Sequence, residues 1–405
     1  MTGATRKTDI AIVGGGIAGS MAALVLGRAG YRVALIDIHA VYPPEFRCEK
    51  LANEQIDLLQ GLGLFDEIAA LTTPVQDMVV ARFGRMVERT GKPEYGFYYE
   101  HIVNALRAKL PPNVLFIVGR AAALATGRDR QHVTLSNGEI IEARLLVLAS
   151  GLGDALRQGL GIVRRTIRDK HSLSAGFDVA PAPGATFEFP ALTYFGERTA
   201  ARMAYVSFFP IGDAMRVNLF CYRGYDGEWA RAFKSNPREM LFAAMPGLRR
   251  FVGEFEVVGK VKVRVADLYG VENFRRDGVV LIGDAFQTTC PAAGNGVTRV
   301  LTDVERLCTV HVPRWLASPG MGAEKIAQFY DDEVKRSCDL QVAHAAEYCR
   351  NFAISNGPLW RARRLRAFLR PPARRWITHA RSAIASVTPL SVPEQGAKPV
   401  VSPSE

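Results

Sequence analysis

The segment LIGDAFQTTCPAAGNGVT, residues 281–298, sets an acid, a proline and a run of glycines in the order a binding turn requires. A short apolar strand ends at Ile282 and delivers Gly283-Asp284. Pro291 and Gly294-Asn295-Gly296 follow, and Val297 to Cys308 reads as a helix. Backbone N–H groups at a helix start carry partial positive charge and favour an anion or an electron-rich carbonyl. Asp284, just past a buried strand, is placed to accept hydrogen bonds from a polyol. Together these residues suit a flavin. Asp284 would meet the ribityl or phosphate region, and the amides of Gly294, Asn295, Gly296 and Val297 the pyrimidine edge. Phe286, Gln287, Cys290 and Pro291 are the candidates to line the ring. A plain strand–turn–helix connection reads the same residues without a ligand, because Gly and Asp favour turns anyway.

A second motif weighs against that bland reading. The buried-strand run DIAIV, residues 9–13, is followed by Gly14-Gly15-Gly16-Ile17-Ala18-Gly19, a small-residue helix, and a strand from Tyr31 to Ile36 that ends at Asp37. This is a dinucleotide fingerprint in its proper context. Gly14 permits the tight turn, Gly16 lets the backbone approach a pyrophosphate, and Gly19 allows close helix–strand packing. Asp37 is placed to accept from adenosine ribose hydroxyls. Arg47 stands where a cation could reach the pyrophosphate, although a single loop arginine is as readily a solvated one. A dehydrogenase needs only the first motif. The pair points to resident FAD.

These motifs need elements to hold them apart and aim them. Residues 98–110 carry Ile102, Leu106 and Leu110 at helical spacing, and Ser136-Asn137-Gly138 marks a hairpin between strand-like runs. From about 171 to 265 the chain becomes β-rich. Phe187, Phe189, Tyr194, Tyr205, Phe208, Phe209 and Phe220 form a candidate apolar ceiling over a substrate, with core packing as the plainer reading of each. The expected division is an FAD-binding domain in residues 1–170 and 266–310, a substrate sheet in 171–265, a helical segment in 311–390 and a disordered tail in 391–405.

At 405 residues, 48% hydrophobic and 22% charged, the chain has the composition of a globular enzyme. Its net charge of +11 is local. Nine arginines and no acid lie in residues 350–381, which leaves the rest near balance. The six cysteines form no metal-ligand spacing, so no metal is expected and a reducing, cytoplasmic setting is. In residues 359–385, Leu359, Ala362, Leu365 and Phe368, then Trp376, Ile377, Ala380 and Ile384, recur at helical spacing among arginines. These stripes either pack on the body or meet an anionic membrane surface peripherally. Nucleic acid is not expected, since no base-reading motif accompanies the charge.

GxGxxG at 14–19, a segment at 149–162 and GD…P…GxG at 283–296 resemble, in that order, the aromatic-hydroxylase-like flavoprotein monooxygenases. The resemblance implies an α/β fold: a Rossmann-like, GR2-type FAD-binding domain with an inserted antiparallel β-sheet substrate domain and a helical C-terminal segment. It implies that Arg47 touches FAD, that Gly283-Asp284 binds ribityl atoms, and that Pro291 to Gly296 lines the isoalloxazine. The implied activity is oxygen transfer from a flavin C4a-hydroperoxide to a small apolar or aromatic molecule, by hydroxylation or epoxidation. Departures bear on the electron donor. Ser150 replaces the usual Asp of the middle segment, while Arg157 remains. NAD(P)H or a separate reductase is therefore left open as the source of electrons. Two rivals stand beside this reading: a geranylgeranyl-reductase-like enzyme acting on a lipid-like substrate, and a silent flavoprotein that binds a partner through its basic tail.

Overall fold

A computed structural model of the chain describes residues 5–223 and 227–369. β1 (Ile10–Val13), α1 (Ile17–Arg28) and β2 (Val33–Asp37) come first. The chain then sends β3 (Met78–Arg82) into a second sheet and returns through α2 (Tyr99–Ala108), β4 (Val114–Val118) and β5 (Leu145–Leu148). Strands β6 (Val163–Pro181), β7 (Ala191–Phe195), β8 (Met203–Ile211), β9 (Ala214–Cys221) and β10 (Phe255–Glu272) build that second sheet. β11 (Val279–Leu281) closes the first, and α3 (Gly296–Glu305), α4 (Glu333–Ile354) and α5 (Pro358–Leu369) follow.

The first sheet is parallel, in the order β11-β5-β1-β2-β4. Its central strands are continuous aliphatic runs because both faces are covered, one by helices and the other by the small sheet that holds Val133, Leu135, Ile141 and Ala143, so no polar alternation is needed. Ile10, Ile12, Leu145 and Val147 pack with α1 on one side, while Ala11, Val13, Leu146 and Leu148 meet the other core. The hairpin expected at Ser136-Asn137-Gly138 belongs to a four-stranded sheet of Thr5–Lys7, Ile140–Ala143, Gln131–Leu135 and Ala121–Ala125. Gly138 turns its hairpin at φ 84°.

The second sheet runs β10-β6-β9-β8-β7-β3 and ends on a strand at Arg85–Thr90. It is antiparallel except for the β7–β3 pair, which is parallel. The boundaries expected at 170/171 and 265/266 fall inside β6 and β10. These two long strands pair from Val163↔Glu272 to Pro181↔Phe255 and tie the sheet to the parallel domain. Residues 78–90, expected with the first domain, contribute two strands to this sheet, which local propensity alone could not reveal.

The C-terminal helix docks. The Phe368 ring lies 6.2 Å from Phe352 and 6.3 Å from Phe195, with the Arg82 guanidinium 4.1 Å from it. Arg364 donates to the carbonyls of Phe352 and Ser355 at 2.8 and 2.6 Å. The expected second helix and the tail, residues 370–405, lie outside the described residues.

Candidate flavin site

The turn at 14–19 is built by backbone geometry. Gly14 has φ 104°, and a Cβ there would sit 2.4 Å from the Ala149 carbonyl oxygen. A Cβ at Gly19 would meet the Gly14 oxygen at 1.9 Å, so both positions admit only glycine. Above Gly16 the nearest heavy atom to an added Cβ is the Tyr99 hydroxyl at 3.4 Å. Ile17 N donates to that hydroxyl at 3.1 Å. Burial, opposed by Arg47, pushes the Tyr99 phenol up to about 12, so at neutral pH it is uncharged.

Asp37 ends β2 beside this turn. Its Oδ2 accepts from Gly15 N at 2.6 Å and its Oδ1 from His39 N at 2.9 Å, with Arg107 Nη2 3.2 Å away. Arg107, buried on α2, donates to the Gly15 carbonyl from Nε at 3.0 Å and to the His39 carbonyl at 2.7 Å. The carboxylate therefore organises the glycine turn; a ribose contact would use its remaining lone pairs. Arg107 is a functional residue the sequence reading missed, because its partners lie at least 68 positions away.

The second motif rests on buried charge. Gly283, at φ 61°, donates its N–H to Asp303 Oδ2 at 2.9 Å. Asp303 in turn receives Lys335 Nζ at 2.8 Å, and that same ammonium reaches Asp339 at 3.0 Å. Arg157, retained from the middle segment, donates to the Ala285 carbonyl at 2.7 Å and pairs with Asp154. Tyr269 OH donates to the Asp284 carbonyl at 2.8 Å. With its backbone pinned, Asp284 turns its carboxylate between Arg47 Nη1 at 3.5 Å and Arg299 Nη2 at 3.6 Å. Arg299 is buried and none of its three guanidinium nitrogens has a hydrogen-bond partner. Burial works against the Arg47 charge, and Glu45 together with Tyr99 and Tyr42 more than offsets it, holding the guanidinium above its ordinary range.

The residues present fit FAD. The ground over Gly16 is open, and two arginines flank one carboxylate where a diphosphate needs positive charge. Ser150 Oγ, beside Gly14 of the first motif, and Asn295 Oδ1, in the second, are both buried without partners.

Of the ring-lining candidates, Phe286 packs 5.1 Å from both Phe274 and Tyr330, with Lys335 Nζ 4.4 Å from its ring. Cys290 is fully buried, its Sγ 3.3 Å from Tyr222 OH, and burial raises its thiol pKa. Gln287 and Pro291 remain half-exposed.

The second sheet presents one face to these motifs. Ser174, Asn218, Ser207 and Tyr205 stand on it, with Arg216 one pair further along. The loop carrying Arg47 touches it at one end, where Phe46 lies over Gly176 and Glu49 binds Arg216 through two bonds of 2.7 Å. The turn at Pro291–Ala293 touches it at the other, where Tyr205 OH donates to the Ala292 carbonyl at 3.2 Å. The aromatic ceiling divides. Phe187, Phe189, Tyr194 and Phe208 belong to the opposite, dry face, packed beneath the helices Gly227–Ser235 and Pro237–Ala244. Tyr205, Phe209 and Phe220 lie on the side of the motifs, as the two-residue period of a strand demands.

A parallel nucleotide-binding sheet, two cofactor motifs and a roofing antiparallel sheet define the class: a flavoprotein of the hydroxylase type. The FAD binding domain family model matches residues 7–311, and the chain belongs to that family. Among its relatives is 3-demethoxyubiquinol 3-hydroxylase of Escherichia coli strain K12. It is 24% identical over 373 residues, covering 82% of this chain and 88% of its own. Another is the 3-amino-4-hydroxybenzoate 2-monooxygenase of Streptomyces cremeus, 24% identical over 392 residues, 92% of this chain and 95% of its own. The crystal structure of p-nitrophenol 4-monooxygenase PnpA from Pseudomonas putida DLL-E4 shares the fold. Its TM-score is 0.74 at 18% identity, over 94% of this chain and 97% of that one. The protein is an FAD-dependent monooxygenase. Among the described residues no helix is long and apolar enough to cross a membrane.

Proposed function

We propose that the chain adds one oxygen atom to a small apolar or aromatic molecule held between the polar face of the second sheet and the 290–293 turn. The observation that carries this reading is that the Arg47 loop and the second cofactor motif both touch that one face, through Glu49–Arg216 and through Tyr205–Ala292. FAD, once bound, supplies the redox and oxygen chemistry that no side chain provides. The chain's own residues divide the remaining work. The 14–19 turn, Asp37 and Arg47 hold the adenosine diphosphate half, and Asp284 the polyol. The N–H groups of residues 294–297 at the start of α3 are suited to a carbonyl edge that gains negative charge. The sheet excludes water and orients the substrate.

Electrons would come from NAD(P)H or from a partner reductase. Ser150, in place of an acid, favours slow reduction by nicotinamide in the absence of substrate. The test is direct. Purified protein should be yellow, release FAD on acid precipitation, and consume oxygen only when reductant and an acceptor are both present. Stoichiometric reduction of an alkene substrate without oxygen uptake would establish the reductase instead.

All six cysteines are free, and we place the protein in the reducing cytoplasm. Peripheral contact with an anionic membrane is supported by Leu359 and Leu365, which are 58% and 61% exposed beside Arg361, Arg363 and Arg366. Flotation with anionic vesicles at low salt, compared with a chain ending near residue 356, tests it.

A further inference from the structure

The sheet face that meets the cofactor motifs carries a buried cation, and that cation is already satisfied. Arg216 on β9 is 5% exposed at its side chain and Glu49 2%. Arg216 donates to Glu49 through Nε and Nη2, each at 2.7 Å, and to Asp178 Oδ1 through Nη1 at 3.1 Å. Its guanidinium lies close against the strand beside it. A Cβ at Gly176 would come within 2.9 Å of Nη2 and 2.4 Å of the Phe46 ring. The group is thus wedged between backbone, phenyl ring and two carboxylates, and swinging free would break three charge-assisted bonds at once. Three charges stand in the cluster, two negative and one positive. A carboxylate brought to this face would meet a cation with no geometry left to give it and a net negative neighbourhood. Around the cluster the buried groups are neutral donors and acceptors: Asn218, Ser207 and Ser174. The other arginine of this face, Arg264 on β10, stands opposite Ser174 and turns toward the Arg47 loop. It donates to the Phe46 carbonyl at 3.4 Å and feels the charges of Arg47, Asp284 and Glu45, so it belongs to the diphosphate end.

We propose that Glu49 and Asp178 withhold Arg216 from substrate anions, and that this cluster selects an uncharged aromatic or apolar substrate over one bearing a carboxylate. The inference rests on the proposed placement of substrate against this face. It separates two kinds of chemistry that one fold can serve. A free buried guanidinium binds a planar carboxylate bidentately, whereas an occupied one leaves shape and neutral hydrogen bonds to discriminate.

The test uses the FAD-loaded full chain and a matched pair of probes, methyl 4-hydroxybenzoate and 4-hydroxybenzoate, titrated against the flavin absorbance spectrum. The parent should bind the ester at least about tenfold more tightly than the acid, and Glu49→Gln should shift the ratio toward the acid by about tenfold or more. Asp178→Asn should shift it the same way by less, since Asp178 makes the single, longer bond. Whether or not the parent binds either probe, benzoate binding must strengthen in Glu49→Gln. A parent that prefers the acid, or a loaded Glu49→Gln with no gain for it, overturns the proposal. Should Glu49→Gln fail to retain FAD, an unchanged ratio in Asp178→Asn overturns it equally. Oxygen uptake is read in parallel. Ester preference without oxygen consumption on any acceptor would refute the monooxygenase placement and leave the selectivity standing. Hydroxylation of the benzoate by a parent that binds it more tightly than the ester would do the reverse.

Discussion

The two faces of the seven-stranded sheet are made by the same strands and have opposite characters. Along β8 and β9, the pair Phe208↔Val217 points into an aromatic core, while its neighbours Ser207↔Asn218 and Phe209↔Arg216 point to the other side. On the dry face Phe208 lies 6.0 Å from Phe255 and 6.1 Å from Phe189, and its stability comes from buried area and close packing. On the wet-chemistry face, polar side chains are buried against loops that also hold the cofactor motifs. Alternation lets one strand pair do both, because each residue step reverses the side. The contrast implies that substitutions one residue apart should fail in different ways.

The largest expected effect is on the dry face. Phe208→Ala should lower unfolding free energy by about 3–5 kcal/mol, the usual cost of a buried phenyl lost to a cavity. Urea denaturation measures it, and the folded fraction should keep its FAD affinity. Loss of FAD affinity at unchanged stability would show that the two faces are not separable. Asp284→Ala asks the complementary question of the loop that meets the polar face. It should weaken FAD binding by about 1–3 kcal/mol, up to roughly a hundredfold, with little change in apo-protein stability. Flavin fluorescence titration decides it, and undiminished affinity would remove Asp284 from the cofactor site.

Ser207→Ala should do less still, within about 1 kcal/mol in stability, and should register as altered substrate binding at unchanged FAD content. The mildest test concerns acid. His171, beside Tyr222 at the end of the polar face, is buried with neither ring nitrogen hydrogen-bonded. Burial, helped by Arg168 and Arg350, lowers its pKa from 6.5 to about 4. Between those values the unfolded chain binds the proton and the folded chain does not, so this group's contribution to stability is present above pH 6.5 and declines as pH falls toward 4. His171→Phe should flatten the parent's stability profile in that window. An identical slope in both proteins would mean that other groups dominate the acid response.

Much of the site was legible in the chain because its requirements are local. A strand running into Gly14 at positive φ and a Gly19 pressed on the Gly14 carbonyl are conditions on neighbouring residues, so spacing exposes them. Gly283-Asp284 and the helix start at Gly296 are readable for the same reason. The charged partners were not. Arg107 reaches Gly15 across 92 positions, Lys335 reaches Asp303 across 32, and Arg216 reaches Glu49 across 167. In one dimension each is an ordinary polar residue on an amphipathic element.

The same division applies to the aromatics and the tail. Their abundance between 187 and 220 marks a sheet with an apolar side, but composition does not say which side any ring takes. Register decides that, and it sends Phe208 and Phe209 to different environments. The stripe of Leu359, Leu365 and Phe368 is visible as helical spacing, yet only the position of Phe195 and Arg82, more than 150 residues earlier, gives Phe368 somewhere to pack. The order of residues by itself determined the backbone conformations that admit a dinucleotide and a flavin. Tertiary structure alone decided which charges meet, because Coulomb attraction and burial depend on distance through space.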